Sequence, residues 1–362
     1  MAASNGTVSE VAAGSGPPPA LVRAAESAPV LEVASISRNL RDDWRIWSFT
    51  AINSASGDHA ATPLGAGAQG HAEPAPLLGG ADEFASDDPE TLDPATPSLT
   101  PLQSAPAGPA FGTLVHSALE RVDFTSSELD TELTSACAAL MNHRPLAIAP
   151  AALASGLVNA LQAPLGGPLG STSLVDIAQV DRRNELDFDL PLAAFDARTI
   201  AAVMLDHLPD TDPLHPWFVE AATGGLDVSL DGMLTGSIDL VARTVIDEQS
   251  CFWIADYKTN LIRTGDYSGP ALATAMHHSG YALQATIYLV ALHRFLRWRL
   301  GASYDPQSQL LGAAYLFLRG MDPANDSADP AGVHWFQPPV AAIDALDLLF
   351  ATGATGATGV AS

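Results

Sequence analysis

Two long stretches of the chain have too little apolar side chain to fold, which limits the chain to one main folded domain. Residues 1–36 and 54–109 consist mostly of Ala, Gly, Pro, Ser and Asp, with few aromatic residues. Such segments bury too little apolar surface to offset the chain entropy lost on folding, so we predict that both are disordered. The predicted organisation is 1–36 disordered, 37–53 a short segment that docks on the main body, 54–109 a disordered linker, 110–350 the folded domain, and 351–362 a flexible tail.

The sequence predicts neither a membrane span nor an export signal. No apolar run approaches the roughly 20 residues that a membrane helix needs, and the N-terminal residues lack the basic and apolar regions of a signal peptide. Cys137 and Cys251 are the two cysteines, too few for a disulfide framework or for the four thiolates of an iron–sulfur cluster. We therefore expect a cytoplasmic protein without membrane partners and without an iron–sulfur cluster.

The charge balance restricts how the protein could act on nucleic acid. The formal net charge is −25, and residues 111–362 alone hold 28 acidic and 12 basic side chains. This balance argues against a protein that holds duplex DNA by broad neutralisation of phosphates. A protein of this charge that acts on DNA would need metal ions at its site and a partner that helps to hold the substrate.

The folded part alternates predicted helices and strands, which indicates an α/β domain. At its centre, residues 231–243 and 250–258 form a strand–turn–strand pattern that predicts a β-hairpin. The other predicted strands are residues 186–192 and 311–319. The predicted helices are residues 111–122 with further helix to about 162, then 197–208, 279–300 and 340–350.

The hairpin carries three polar side chains that suit hydrolysis of a phosphodiester. Side chains alternate between the two faces of a strand, so Asp256 and Lys258 point the same way. Asp239 lies 17 residues before Asp256, on the neighbouring strand of the hairpin. Two carboxylates beside a cation predict a Mg²⁺ site, with Mn²⁺ as an alternative ion. A bound ion of this kind lowers the pKa of a water molecule and offsets charge on phosphate oxygens.

Lys258 is also the one lysine in the chain, against 15 arginines. A composition that uses Arg almost everywhere suggests that a planar guanidinium cannot serve at position 258. Lysine offers a compact point charge on a thin stem instead. The count therefore favours a specific role for Lys258.

The hairpin sequence GSIDLVAR…FWIADYKTN resembles the active-site hairpin of the PD-(D/E)xK nuclease superfamily, and more narrowly that of the C-terminal nuclease domain of the RecB (exonuclease V beta subunit) family. Other stretches match in the same order: DDWRIWSFTAI, GTLVHSALE, NELDFDLPL, and YALQATIYLVALHRFLRWRL followed by YLFLRGMD. The resemblance covers nearly all of 111–325 and the segment 39–53. It implies a restriction-endonuclease-like fold, a mixed central sheet flanked by helices, with residues 110–350 as the nuclease domain.

The resemblance also implies roles for individual residues. The catalytic residues would be Asp239, Asp256 and Lys258, the metal ligands His116, Asp239 and Asp256, and the supporting or substrate-side residues Glu185, Gln284 and Tyr288. No GxxxxGK[ST] motif is present and Lys258 is the only lysine, so no ATP site is expected. The helicase part that accompanies such nucleases is therefore missing from this chain.

The implied function is a Mg²⁺-dependent DNA nuclease of the exodeoxyribonuclease V type, acting in DNA-end processing and recombinational double-strand-break repair. The implied partners are single-stranded DNA or duplex ends, together with RecC- and RecD-like subunits or a separate helicase chain. The alternative is a catalytically weak nuclease-fold interaction module within a RecBCD-like complex. The acidic surface and the missing helicase favour this alternative, whereas the retained acids and lysine favour the enzyme.

Structural alternatives also remain for the site residues. Asp239, Asp256 and Lys258 could form a salt-bridged polar patch on the hairpin, and His116 could be an ordinary helix histidine. The acid at 185 could be one of several alternating acids on an exposed strand face. Packing at the edge of the core is an alternative for Gln284 and Tyr288. For the arginines at 294, 297 and 299, a solvated or helix-end charge arrangement is favoured over contact with phosphate.

Overall fold

The computed structural model describes residues 44–56 and 100–354. The disorder predicted for 1–36, most of the predicted linker and the end of the predicted tail lie outside these described residues. The part of the predicted docking segment that is described begins at Trp44. Apart from the C-terminal end of the predicted linker, the predicted domain boundaries therefore stay predictions.

Within the described residues, strands form one mixed sheet flanked by helices, as the sequence predicted. The strands are β1 (Arg45–Trp47), β2 (Arg182–Asp196), β3 (Ser229–Ile246), β4 (Gln249–Lys258), β5 (Leu310–Phe317) and β6 (Val333–Phe336). Their order is β1-β3-β4-β5-β6, and β2 also pairs with β3. The β1–β3 and β4–β5 pairs are parallel, while β2–β3, β3–β4 and β5–β6 are antiparallel.

The predicted hairpin is formed by β3 and β4. Its two turn residues, Asp247 and Glu248, both have positive φ, at 48° and 66°. Two central residues with positive φ characterise a type I′ turn, whose twist matches that of the flanking strands. The turn therefore fixes the register, and the ladder runs back as far as the pair of Leu240 with Ala255.

The long strand β3 pairs with three other strands. β2 pairs along it from Ser229 to Ala242, while β1 pairs with residues 232–234 and β4 with 240–246. β1 can approach because Gly232 has a φ of 129° and no side chain. A Cβ at this position would overlap the carbonyl oxygen of Arg45. Glycine is the residue that adopts such a backbone and permits such an approach.

Helices cover both faces of the sheet. They are α1 (Phe49–Ser56), α2 (Pro109–Glu120), α3 (Leu129–Met141), α4 (Pro150–Gln162), α5 (Arg198–Leu205), α6 (His215–Glu220), α7 (Gly269–His278), α8 (Tyr281–Leu300), α9 (Pro306–Gln309) and α10 (Val340–Thr352). Helices α2 to α4 share one apolar core with Trp253 and Tyr257 of β4. The other core contains residues of α1, α5 to α8 and α10, with Ile254 of β4. None of the described helices is long and apolar enough to span a bilayer.

The structure adds elements that the sequence pattern did not predict. Strand β6 has only four residues, too few to show an alternating pattern, and it exists through its pairing with β5. Helix α7 follows a loop and ends in two histidines, without a clear apolar stripe in its sequence. Strand β2 is longer than predicted because its pairing with β3 extends well beyond the alternating residues.

The structure also differs from the predicted linker at its C-terminal end. Residues 100–108 pack on the domain, with Leu102 and Ala105 buried. The side chain of Arg319 donates hydrogen bonds to backbone carbonyls in this segment. A short segment held mainly through its backbone carbonyls needs no distinctive composition, so its order could not be predicted from residue types.

The buried histidine of β6 predicts a dependence of stability on pH. His334 is 7% exposed, and burial lowers its pKa from the usual 6.5 to about 4. Between these two values the unfolded chain carries a proton at this residue that the folded chain lacks, so stability falls as the pH decreases. We expect wild type to lose about 2–3 kcal/mol relative to His334→Gln between pH 7.5 and pH 4.5, at about 1.4 kcal/mol per pKa unit.

Urea unfolding curves at both pH values measure this difference. His143→Gln, which replaces an exposed histidine, is the matched control. An equal change of unfolding free energy with pH in wild type and His334→Gln would contradict the prediction.

Candidate metal and catalytic site

The two predicted aspartates lie where the hairpin strands stop pairing. The last β3–β4 pair is Leu240 with Ala255, so Asp239 and Asp256 are the next residue on each strand. The Asp239 carboxylate accepts a hydrogen bond of 2.8 Å from the backbone N–H of Tyr257. The Asp239 side chain thus takes the place of a backbone carbonyl as the acceptor at the end of the ladder. Both aspartates lie where β3 and β4 diverge, and we refer to this place as the opening of the sheet.

Three side chains from three elements meet at this opening. One ligand atom each of His116 on α2, Glu185 on β2 and Asp239 on β3 lies within 4.8 Å of the other two. Glu185 falls between the β2–β3 pairs on either side of Asp239, and its φ of 48° takes it out of regular strand geometry. The Ser237 hydroxyl donates to Oε2 of Glu185 at 3.0 Å, which holds the carboxylate in place.

The orientation of His116 indicates that a cation belongs between it and Asp239. Its Nε2 lies 2.9 Å from the carbonyl oxygen of Tyr257, which can only accept, so Nε2 carries a proton. Its Nδ1 lies 3.4 Å from Oδ2 of Asp239. A neutral ring would place two acceptors against each other there. A proton or a metal ion between them removes the repulsion.

The pKa values of the two clustered carboxyl groups shift in opposite directions. Burial favours a higher pKa for Asp239, but His116, the Lys258 ammonium and the Tyr257 N–H together hold it below its usual range. For Glu185, burial and then the charge of Asp239 raise the pKa to about 6. Both groups are therefore ionised at neutral pH, which concentrates negative charge at one point.

This set of donor atoms fits a divalent cation. Two carboxylates supply hard oxygen ligands, and the imidazole adds a nitrogen ligand that divalent metal ions also accept. The repulsive contact between Nδ1 and Oδ2 is relieved by the same ion. His116 and Asp239 were predicted as ligands, whereas Glu185 was predicted only as a supporting residue.

Lys258 forms the second half of the site, beside this cluster. Its Nζ lies 2.7 Å from Oδ1 of Asp256, and each residue is 2% exposed. The ammonium donates to Oε1 of Gln284 at 3.2 Å and lies 3.9 Å from the centre of the Tyr281 ring. A buried lysine is thus surrounded by a carboxylate, an amide oxygen and an aromatic face.

The predicted pair Gln284 and Tyr288 lies directly behind the lysine. Gln284 accepts from the Tyr315 hydroxyl at 3.0 Å through the same Oε1 that contacts Lys258. Its Nε2 donates to the Tyr288 hydroxyl at 3.3 Å. Gln284 therefore contacts the lysine through a polar atom, and Tyr288 is joined to the site through Gln284.

The structure does not place Asp256 in the three-residue cluster of possible ligands among the described residues. Its Oδ1 faces the ammonium of Lys258. Its role as a metal ligand therefore stays a prediction, while the structure adds Glu185 to the candidates. The difference arises because the strand register places Asp239 opposite Glu185 on one side and next to Asp256 on the other.

The arginine cluster at the end of α8 lies in a structural network instead. Arg294 and Arg297 both pair with Asp347 of α10, and the Arg299 guanidinium lies 6.0 Å from the Trp298 ring centre. This arrangement accords with the favoured interpretation of helix-end charges.

Other contributors to the site were missed by the sequence analysis. The backbone of Tyr257 contacts both His116 and Asp239, and backbone contacts leave no trace in residue type. Tyr281 and Tyr315 border the lysine through their rings. Tyr315 pairs with Asp256 in the parallel β4–β5 ladder, a register between strands distant in sequence that no local pattern predicts.

Comparison with known proteins agrees with this geometry. The family model described as the PD-(D/E)XK nuclease superfamily matches residues 92–354. RecBCD enzyme subunit RecB of Mycolicibacterium smegmatis is 39% identical over 286 residues, which are 73% of this chain and 26% of that protein. RecB of Mycobacterium tuberculosis is 36% identical over 345 residues, 88% of this chain and 30% of that protein.

RecB of Escherichia coli is 30% identical over 299 residues, which are 81% of this chain and 22% of that protein. The chain thus spans less than a third of the length of each of these relatives. The family match, by contrast, extends over most of the chain and includes every residue of the site described above. The chain therefore belongs to the PD-(D/E)XK nuclease superfamily.

Proposed function

We propose that this protein is a Mg²⁺-dependent nuclease that hydrolyses phosphodiester bonds of DNA, with Mn²⁺ as an alternative ion. The observation that carries the proposal is a buried lysine paired with Asp256 beside a cluster of His116, Glu185 and Asp239. A cation-binding cluster and a fixed ammonium group at one opening are what phosphodiester hydrolysis requires. A purely structural salt bridge would need only Lys258 and Asp256, and it would not require the neighbouring cluster of His116, Glu185 and Asp239.

In this proposal each side chain has a separate task. His116, Asp239 and Glu185 would hold the ion, and Asp256 would complete its ligands. The bound ion would activate a water molecule and offset charge on the phosphate oxygens. Lys258 would orient that water or stabilise the charge that develops on the phosphate.

The residues behind the lysine would keep it oriented. Tyr288 and Tyr315 are deeply buried, and burial together with the charge of Asp256 raises the pKa of both above the usual range for tyrosine. Both hydroxyl groups therefore stay protonated. Tyr315 donates to Gln284, so the Oε1 of Gln284 remains an acceptor for Lys258. We assign Gln284 and Tyr288 this supporting role.

The relatives suggest the setting in which such a nuclease would act. They are RecB subunits of RecBCD enzymes, so we propose activity of the exodeoxyribonuclease V type in DNA-end processing and recombinational double-strand-break repair. The net charge of −25 supports a requirement for RecC- and RecD-like subunits or a separate helicase chain that presents the DNA strand. Action on chromosomal ends would place the protein in the cytoplasm.

The same acidic balance favours a second candidate function. A nuclease-fold module with weak activity could serve as an interaction part of a RecBCD-like complex. The two candidate functions predict different results in one measurement, the cleavage of linear or single-stranded DNA by the purified chain with Mg²⁺ or Mn²⁺. Ion binding without cleavage, in the presence as well as the absence of a helicase partner, would favour the interaction module.

Titration calorimetry with Mn²⁺ and Mg²⁺ tests the metal site. Because Asp239 faces both His116 and Glu185, we expect Asp239→Asn to weaken ion binding by at least about tenfold. Asp189→Asn, which neutralises an exposed acid on β2, is the matched control and should bind like wild type. Equal affinities of Asp239→Asn and the control would exclude the site.

The same titration decides between the candidate ligands. Glu185→Gln lowers affinity if Glu185 binds the ion directly, and Asp256→Asn does so if Asp256 completes the ligand set. We expect both to weaken binding. A variant with unchanged affinity removes that residue from the ligands and leaves the rest of the site standing.

Replacement of the lysine tests the chemistry separately from ion binding. We expect Lys258→Met to lower the cleavage rate by roughly 10²- to 10³-fold, the usual cost of removing one group that stabilises developing charge. Ion affinity should change little. Lys258→Arg should not restore the rate, because a planar, delocalised guanidinium does not reproduce the compact point charge that lies between Asp256 and Gln284.

Cleavage of labelled single-stranded DNA gives the rates, and circular dichroism checks folding. Arg144→Gln removes one positive charge from an exposed position and is the matched control. Cleavage by Lys258→Met at the control rate would refute the assigned role of the lysine.

A further inference from the structure

The backbone that follows Lys258 is held from one side by the end of β5. The N–H of Leu318 donates to the carbonyl oxygen of Lys258 at 2.9 Å. The Nε of Arg319 donates to the carbonyl oxygen of Thr259 at 2.7 Å. Two successive carbonyl groups at the point where β4 leaves the sheet are therefore fixed by two successive residues.

The two terminal nitrogens of Arg319 donate to a different segment of the chain, residues 100–106, which we call the strap. Its Nη1 donates to the carbonyl oxygens of Leu102 at 2.6 Å and Ala105 at 2.9 Å. Its Nη2 donates to the carbonyl of Pro106 at 2.7 Å. In return, the Thr100 hydroxyl donates to the carbonyl oxygen of Arg319 at 2.6 Å. One side chain thus joins the strap to the strand end that carries Lys258.

The geometry of this link is rigid. Arg319 is 0% exposed, and its guanidinium lies 4.6 Å from the centre of the Phe111 ring on α2. A guanidinium is planar and presents its donors in fixed directions, so its carbonyl partners cannot move independently. Charge-assisted hydrogen bonds are also stronger than neutral ones.

Helix α2 also packs against the side chain of Thr259. Gly112 of α2 lies so close that a Cβ there would be 3.2 Å from Oγ1 of Thr259. The same helix carries His116 one turn later. Thr259 therefore lies close to the helix of a candidate metal ligand and also accepts from the guanidinium of Arg319. Because Thr259 directly follows Lys258 in the chain, a shift of Thr259 would also move the backbone that carries the lysine side chain.

We propose that Arg319 is a positioning residue for Lys258. It fixes Thr259 against the strap, and this sets the place of the Lys258 ammonium between Asp256 and Gln284. The inference rests on the proposed function only where it concerns the rate of cleavage. Its geometric content, that the lysine is displaced when Arg319 is removed, stands apart from any activity.

The single lysine of the chain makes this displacement measurable. Protein grown with ¹³Cε-lysine gives one lysine signal, from Lys258. Its ammonium lies 3.9 Å from the Tyr281 ring centre and 5.5 Å from that of Tyr315. Ring currents of these tyrosines should therefore shift the ε-methylene signal of the wild-type protein away from the position of an exposed lysine.

We expect Arg319→Gln to move this signal towards the position of an exposed lysine or to broaden it. Glutamine is chosen over lysine because it keeps Lys258 the only labelled residue. Arg294→Gln is the matched control, since it removes a partly buried arginine whose partner is Asp347. The control should leave the signal in place even though it lowers stability. A folded Arg319→Gln protein with an unmoved signal would overturn the proposal.

A milder variant decides the question if Arg319→Gln does not fold. Leu102→Ala loosens the strap at a buried side chain and leaves Arg319 intact. The Lys258 signal should shift in the same direction by a smaller amount. An unshifted signal in folded Leu102→Ala, with Arg319→Gln unfolded, would also overturn the proposal.

Kinetics provides the second measurement. We expect Arg319→Gln to lower kcat by roughly tenfold to a hundredfold, the usual cost of a small misplacement of a reacting group, with unchanged Mn²⁺ affinity. Arg294→Gln should keep the wild-type kcat at a temperature where both variants are folded. If wild type does not cleave DNA even when a helicase partner is present, the proposed function fails, while the lysine signal still decides the role of Arg319.

Discussion

Burial of the Lys258 ammonium is the constraint on which the rest of the site depends. A buried charge is strongly unfavourable unless a counter-charge and polar atoms surround it. Here Asp256 supplies the charge, Gln284 the acceptor and Tyr281 the aromatic face. Because these come from β4 and α8, the sheet and its covering helix must pack in one register. The site therefore forms only when the domain has folded around it.

The backbone of Tyr257 joins the two halves of this site. Its N–H contacts Asp239 and its carbonyl contacts His116, while its neighbours in the chain are Asp256 and Lys258. One peptide segment therefore sets the distance between the candidate ion cluster and the ammonium. Separation of β3 from β4 beyond Leu240 makes room for both.

The sequence predicted the parts of the structure that depend on local pattern. The hairpin, long helix α8 and the three residues Asp239, Asp256 and Lys258 all follow from periodicity and spacing. The role of Glu185 as a possible ligand could not be predicted in this way, because its orientation comes from a positive φ within a strand of alternating acids. The order of residues 100–108 was also missed. Its cause is a buried arginine more than two hundred positions later, bonding to carbonyl groups that every residue possesses.

Gly232 shows how narrowly the first described segment is attached to the sheet. The backbone of Arg45 occupies the space that any side chain at 232 would need, and Trp47 of the same strand donates through its indole N–H to the neighbouring carbonyl of Asp231. β1 thus pairs with β3 at a position where a hydrogen atom fits and a methyl group does not. Any substitution at position 232 would therefore force β1 and β3 apart at their point of closest approach.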